Sequence, residues 1–174
     1  MQGYNKDLAK IVDDALKNDD WQFGFEEDEG LFHFGLNLDG RIKEISYFID
    51  VLEDEILFYG ILPVTGDPAK KGMMADLAEF TSRANFGLKN GNFEVSFETG
   101  EIRYMCYVGC IGSVPSEEMV INCVSCIATM IGYHAPGILG ILFAGMDAER
   151  ALEECRRANE EPSDSDGVVD NGMN

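Results

Sequence analysis

From Leu31 to Pro63 apolar residues fall at every second position, interrupted only by turn signals. Phe32, Phe34 and Leu36 alternate with less apolar neighbours as far as Asp39-Gly40. Ile45, Tyr47, Ile49 and Val51 alternate as far as Glu53-Asp54, and Ile56, Phe58, Gly60 and Leu62 keep the same rhythm to Pro63. A period of two places one set of side chains on one face of an extended chain, so the stretch predicts three antiparallel strands in succession. A sheet with one apolar face needs a second layer, and the flanking segments should supply helices to cover it.

Those segments have helical spacing. Tyr4, Leu8, Ile11, Val12 and Leu16 form an amphipathic stripe that ends near Asn18-Asp19-Asp20. A short strand, Trp21 to Phe25, follows, and Glu26-Glu27-Asp28-Glu29-Gly30 makes an acidic turn. Asp67-Pro68 is a helix start by composition, because Asp can cap free amides and Pro has no amide to waste in the first turn. Met73, Met74, Leu77, Phe80 and Ala84 then carry a stripe to about Asn85. Phe93, Val95 and Phe97, then Ile102, Tyr104 and Cys106, predict two more strands across a turn at Thr99-Gly100. Ser116 is a candidate cap for the last helical region, with Glu117 and Glu118 in its positive first turn.

From Met119 to Met146 there is no Asp, Glu, Lys or Arg. The length would allow a membrane span, but Asn122, Ser125, His134, Pro136 and several glycines interrupt it and no basic cluster flanks it, so no span is expected. Instead, the pattern predicts a buried helix, a break near Gly132 to Pro136, and a second buried helical segment. Val120, Val124, Ile127 and Ile131 can serve the core. Met130, Ile138, Leu139, Leu142 and Phe143 lie around the cylinder from them and are the candidate protein-binding or dimer surface.

Composition narrows the function classes. The 174 residues suit one domain, expected over residues 1–157, with 158–174 as an acidic disordered tail. Hydrophobic residues make up 45%, enough for a real core. The 32 acidic residues outnumber the 13 basic ones, a net charge of -19, which opposes nucleic-acid backbones and anionic membranes. The start M-Q-G-Y-N-K-D-L lacks the features of an export signal, so a cytoplasmic setting with reduced thiols is expected.

Candidate chemistry is sparse. Cys106 and Cys110, with the C-x-x-C of Cys123 and Cys126, could furnish four thiolates for zinc. Cys106 falls on a strand, however, and Cys123 and Cys126 fall inside a helix, positions that favour small buried core residues. His33 sits on a strand. His134 stands in the expected helix break, where its ring can bond a freed carbonyl; a pairing with a cysteine nucleophile has no orienting motif. Gly132, Gly137, Gly140 and Gly145 form neither a G-x-G-x-x-G nor a G-x-x-x-x-G-K element, and are suited to close backbone approach at a turn or helix crossing. No catalytic residue, metal or cofactor is expected. A small enzyme or zinc/thiol protein using Cys106, Cys110, Cys123, Cys126 or His134 is the alternative.

The order of elements carries a resemblance. A first helix leads to Trp21 and a strand, then to the meander ending at Leu62-Pro63, then to the Asp67-Pro68 helix with Arg83 and Asn85 at its end. G-N-F-E-V-S-F-E-T-G-E-I-R-Y follows, with Gly91, Phe93, Gly100, Glu101, Ile102, Arg103 and Tyr104, and then the uncharged helix and a final short hydrophobic helix. From about Leu8 to Gly145 this resembles the YbjN family, described as sensory transduction regulators within the type III secretion chaperone-like superfamily. The resemblance implies an α+β fold, a curved antiparallel sheet packed against N-terminal, middle and C-terminal helices. It also implies a non-enzymatic protein-binding or chaperone-like regulatory module, acidic and homodimeric, with a protein client.

Overall fold

The alternating segment folds as the centre of a six-stranded sheet. The computed structural model describes residues 3–38 and 40–160; Met1, Gln2, the expected turn residue Asp39 and residues 161–174, most of the expected tail, lie outside the described residues. Along the chain run α1 (Lys6–Asn18), β1 (Gly24–Glu26), β2 (Leu31–Asn37), β3 (Glu44–Val51) and β4 (Glu55–Ile61). Then come α2 (Lys71–Asn85), β5 (Asn92–Val95), β6 (Ile102–Gly109), α3 (Glu117–Ala144) and α4 (Ala148–Glu160). The strand order is β1-β2-β3-β4-β6-β5 and every pair is antiparallel. This is the α+β architecture that the resemblance implies, built from the strands and helices that the pattern predicts.

The periodicity of two decides which face is filled. Phe32, Ile45, Tyr47, Ile49, Ile56, Phe58, Ile102, Tyr104 and Cys106 are all fully buried on one face. Helix α3 lies across that face, and Tyr47 donates its hydroxyl to the carbonyl of Val124 at 2.9 Å. Gly60 lets α3 approach: a Cβ there would lie 2.2 Å from Ile127 Cγ2. Helix α1 packs beside α3, α4 packs on α3 and α2, and α2 lies against β5. All four helices therefore serve the inner face or one another.

Local chemistry sets the helix ends. Asn5 Oδ1 accepts from the amides of Asp7 and Leu8 at the start of α1, and Ser116 Oγ accepts from Met119 at the start of α3. Gly145 ends α3 in the left-handed conformation, φ 64°. At Asp67-Pro68 the expectation is corrected. Asp67 Oδ1 accepts from Ala69 and its carbonyl from Lys70, which makes a turn, and α2 begins at Lys71 without a side-chain cap. Phe97 also falls outside β5, in the turn before β6, where it is exposed.

The larger correction concerns the uncharged region. No break occurs near Gly132 to Pro136; α3 is one helix of 28 residues with Pro136 inside it. An interior proline costs a helix about 3 kcal/mol. Burying Ile131, Ile138 and Ile141 on either side, each worth about 1.5–3 kcal/mol, outweighs that cost. By length and composition alone α3 could cross a membrane, and just over half of its most apolar stretch is buried inside the domain. At the C-terminal end, α4 runs three residues beyond the expected boundary at 157.

The edge strand β5 has only four residues and is held from outside the sheet. Asn85 Nδ2 donates to the Phe93 carbonyl at 3.0 Å, and the Phe93 amide donates to Asn85 Oδ1 at 2.7 Å. Asn85→Ala leaves both backbone groups without that partner. We expect a loss of about 1–3 kcal/mol in urea unfolding and faster amide exchange at Phe93. An unchanged midpoint would show that the clamp contributes nothing.

Candidate functional site: the bare face of the sheet

The strand residues that point away from the helices are not the polar set that a solvated face would carry. Register aligns His33, Phe48, Tyr59, Met105 and Asn92 across β2, β3, β4, β6 and β5. Leu31, Asp50, Leu57 and Tyr107 lie alongside in one direction, and Ser46, Ile61, Arg103 and Glu94 in the other. Phe48, Leu57, Tyr59, Ile61, Met105 and Tyr107 belong neither to the core nor to the side chains packed against it. They adjoin one another as a half-buried apolar patch, with Tyr107 52% exposed.

The charges around this patch have one dominant sign. Glu26, Glu44, Asp50, Glu55 and Glu94 share the outward parity, and Arg103 is the one Lys or Arg in the six strands. Arg103 is already engaged by Glu94 at 2.7 Å and Glu101 at 3.8 Å, and its guanidinium lies 4.6 Å from the centroid of the Tyr59 ring. Partial burial raises the pKa of the Asp50 carboxyl, and it raises that of the Tyr59 hydroxyl against the opposing pull of Arg103. This face can therefore take up apolar side chains and, at its margin, cations.

The residues nominated from α3 have a different fate. Ile138 and Leu142 are buried in the monomer core, at 0% and 8% exposure, and cannot meet a partner. Met130 and Leu139 are half-buried against that core, and Phe143 alone of the five is well exposed. The physical reason is α4, which covers the second apolar side of α3.

The cysteines come together only in part. Cys106 on β6 meets Cys123 of α3 in a buried thiol hydrogen bond, and that bond, then burial, drives the Cys106 pKa far above its ordinary value. Cys126 reaches the same cluster, with Sγ 3.8 Å from the Asn90 carbonyl that also accepts from Tyr104 at 2.5 Å. Cys110 lies beyond the end of β6, its Sγ on the Val108 carbonyl at 3.6 Å. The four candidate zinc ligands are thus not brought to one place, and among the described residues no group of three or more His, Cys, Asp or Glu is placed to hold a metal ion. Cys155, which the sequence reading left out, is buried on α4; burial pushes its thiol up to about 11.

His33 is exposed on β2, 3.9 Å from Glu26 Oε1. His134 is inside the molecule and does bond a carbonyl, that of Met130, with Nδ1 at 2.9 Å. Burial lowers its pKa, and the Met130 bond opposes that shift. The neutral ring therefore contributes stability that is complete above the unfolded value near 6.5 and is lost as pH falls through 6.5 towards the lower folded value. We expect His134→Gln to flatten this part of the stability–pH curve relative to the natural chain. Identical slopes in the two proteins below pH 6.5 would contradict it.

No protein-family model matches the chain, and no curated protein matches it. Among solved structures it is similar to a chain of the ExsC–ExsE complex, at TM-score 0.47 and 14% identity, over 74% of this chain and 90% of that one. It is also similar to a chain of the ExoT–SpcS complex from Pseudomonas aeruginosa, at TM-score 0.45 and 10% identity, over 70% and 92% of the two chains. With YbjN from E. coli, a candidate transcription regulator, it shares 12% identity at TM-score 0.50, over 79% of this chain and 89% of that one. At these identities the likeness is one of fold: this chain has the α+β architecture seen in YbjN, an antiparallel sheet with its helices on one face.

Proposed function

We propose that the chain is a YbjN-like, non-enzymatic protein-binding module, and that its binding surface is the bare face of the sheet. The observation that supports this most is the contiguous patch of Phe48, Leu57, Tyr59, Ile61, Met105 and Tyr107, which no part of the core packs against. An apolar patch rimmed by Glu44, Asp50, Glu55 and Glu94 favours a polypeptide segment whose apolar residues are flanked by Lys or Arg. The same rim argues against a second copy as occupant. Face-to-face pairing would set these carboxylates against their equivalents, on two chains that each carry -19. The partner is then a different, basic polypeptide.

Two unfolded probes of opposite charge test this. Reduced, amidomethylated ribonuclease A is basic, and α-lactalbumin treated the same way is acidic. Titration calorimetry should show binding of the first, weakened by salt as the charges are screened, and little or none of the second. Equal binding of both, or of neither, overturns the proposal. Sedimentation at twice the 19.3 kDa chain mass, lost in Tyr59→Asp, would assign the face to self-association instead.

A further inference from the structure

On the helical side of the molecule, a cavity of about 250 Å³ opens between α2, α3 and α4. Its lining is Arg83, Tyr133, His134, Leu152, Cys155 and Arg156. A chain of net charge -19 has here placed two arginines together and no carboxylate in the lining. Arg83 gives Nε and Nη2 to Glu79 Oε1, at 2.8 and 2.7 Å, which leaves Nη1 for another acceptor. Arg156 is exposed, and among the described residues no carboxylate lies within ion-pair distance of it. Its planar fork is free for an oxyanion.

His134 adds the specific feature. It is 6% exposed, and because Nδ1 faces the Met130 carbonyl, Nδ1 carries the proton and Nε2 of the neutral ring is an acceptor. No described group donates to Nε2. No buried side-chain N or O among the described residues is both sealed from solvent and unbonded, so Nε2 keeps some exposure, and the His134 ring is part of the cavity lining. The cavity thus presents cationic donors together with one nearly buried, unpartnered acceptor. A plain carboxylate would satisfy only the arginines. A ligand that also carries a hydroxyl would satisfy both.

We propose that this cavity binds a small hydroxycarboxylate, with its carboxylate on Arg156 and its hydroxyl donating to His134 Nε2. Arg83 Nη1 and the Tyr133 hydroxyl are available to the remaining oxygen lone pairs, and Leu152 gives the carbon skeleton an apolar wall. A cavity of about 250 Å³ is on the scale of a small organic acid.

The probes are L-malate, its deoxy analogue succinate, and inorganic phosphate, each titrated into the full chain at low ionic strength. L-malate should raise Tm and move the His134 ring resonances. Succinate should bind at least about tenfold more weakly, because it leaves the acceptor unpaired. Arg156→Gln, at an exposed position that leaves folding intact, should also weaken L-malate at least about tenfold, whereas Lys43→Gln, another exposed cation, should not. The inference is overturned by an absence of L-malate binding at about 10 mM, by equal binding of L-malate and succinate, or by an unaffected Arg156→Gln variant. Phosphate binding tighter than L-malate would overturn it too, since the site would then be one for a phosphate oxyanion.

Discussion

Gly132→Ala should stabilise the protein by about 1 kcal/mol, while Gly137→Ala, five residues further along the same helix, should destabilise it by about 2 kcal/mol. Both replacements remove the same backbone freedom, so a free-standing helix would gain equally from each. What separates them is the far side of the glycine. A Cβ at Gly132 meets nothing within 4 Å. A Cβ at Gly137 would lie 2.6 Å from the Ala151 carbonyl oxygen, 2.6 Å from Cys155 Sγ and 2.7 Å from Phe80 Cε2. The first of these is backbone and cannot rotate aside, so α4 must move off α3. Urea unfolding of the two variants gives the answer. Equal midpoints would mean that α4 does not seat on Gly137 as described.

That pair also shows what the chain discloses about itself. The expectation of close backbone approach holds at Gly137 and fails at Gly132, and nothing in the local pattern distinguishes the two, since the difference lies in α4. Helix α4 was itself hard to read. Its inward stripe is Ala148, Ala151, Leu152 and Cys155, three of them small residues in a segment otherwise rich in charge. Without α4 the second apolar side of α3 is a surface, which is what the pattern predicts for Ile138 and Leu142; with α4 in place both belong to the core. The strands were the legible part, because a period of two fixes both their existence and their inner face.

The bare face was less legible for the same reason. Alternation marks the buried members of each strand, and the residues between them form the less apolar set. In β4, E-I-L-F-Y-G-I, both sets are apolar, where a strand with one solvated face would alternate apolar with polar. Leu57, Tyr59 and Ile61 carry that signal. Pro136 misled in the opposite direction: its local cost to a helix is real, but burial on both sides outweighs it.

The second large effect belongs to that face. Tyr59→Asp should weaken binding of the unfolded basic probe by about 30-fold or more, the loss of about 2 kcal/mol typical of a central aromatic contact. Tyr59 lies between Phe48 and Met105 in register and contributes nothing to the core, so the melting temperature should change little. Leu57→Asp, beside it, should behave alike. Phe143→Asp, on a side chain 73% exposed at the end of α3, should leave binding unaltered. Equal losses from Tyr59→Asp and Phe143→Asp would remove the reason for choosing the sheet.

The most direct measurement is contact itself. Benzoylphenylalanine placed at position 59 or at position 143, one site at a time, can be irradiated in the presence of the amidomethylated ribonuclease A probe. The account predicts efficient cross-linking from position 59, suppressed by salt, and none above background from position 143. Cross-linking from position 143 with none from position 59 would contradict it and return the binding surface to α3.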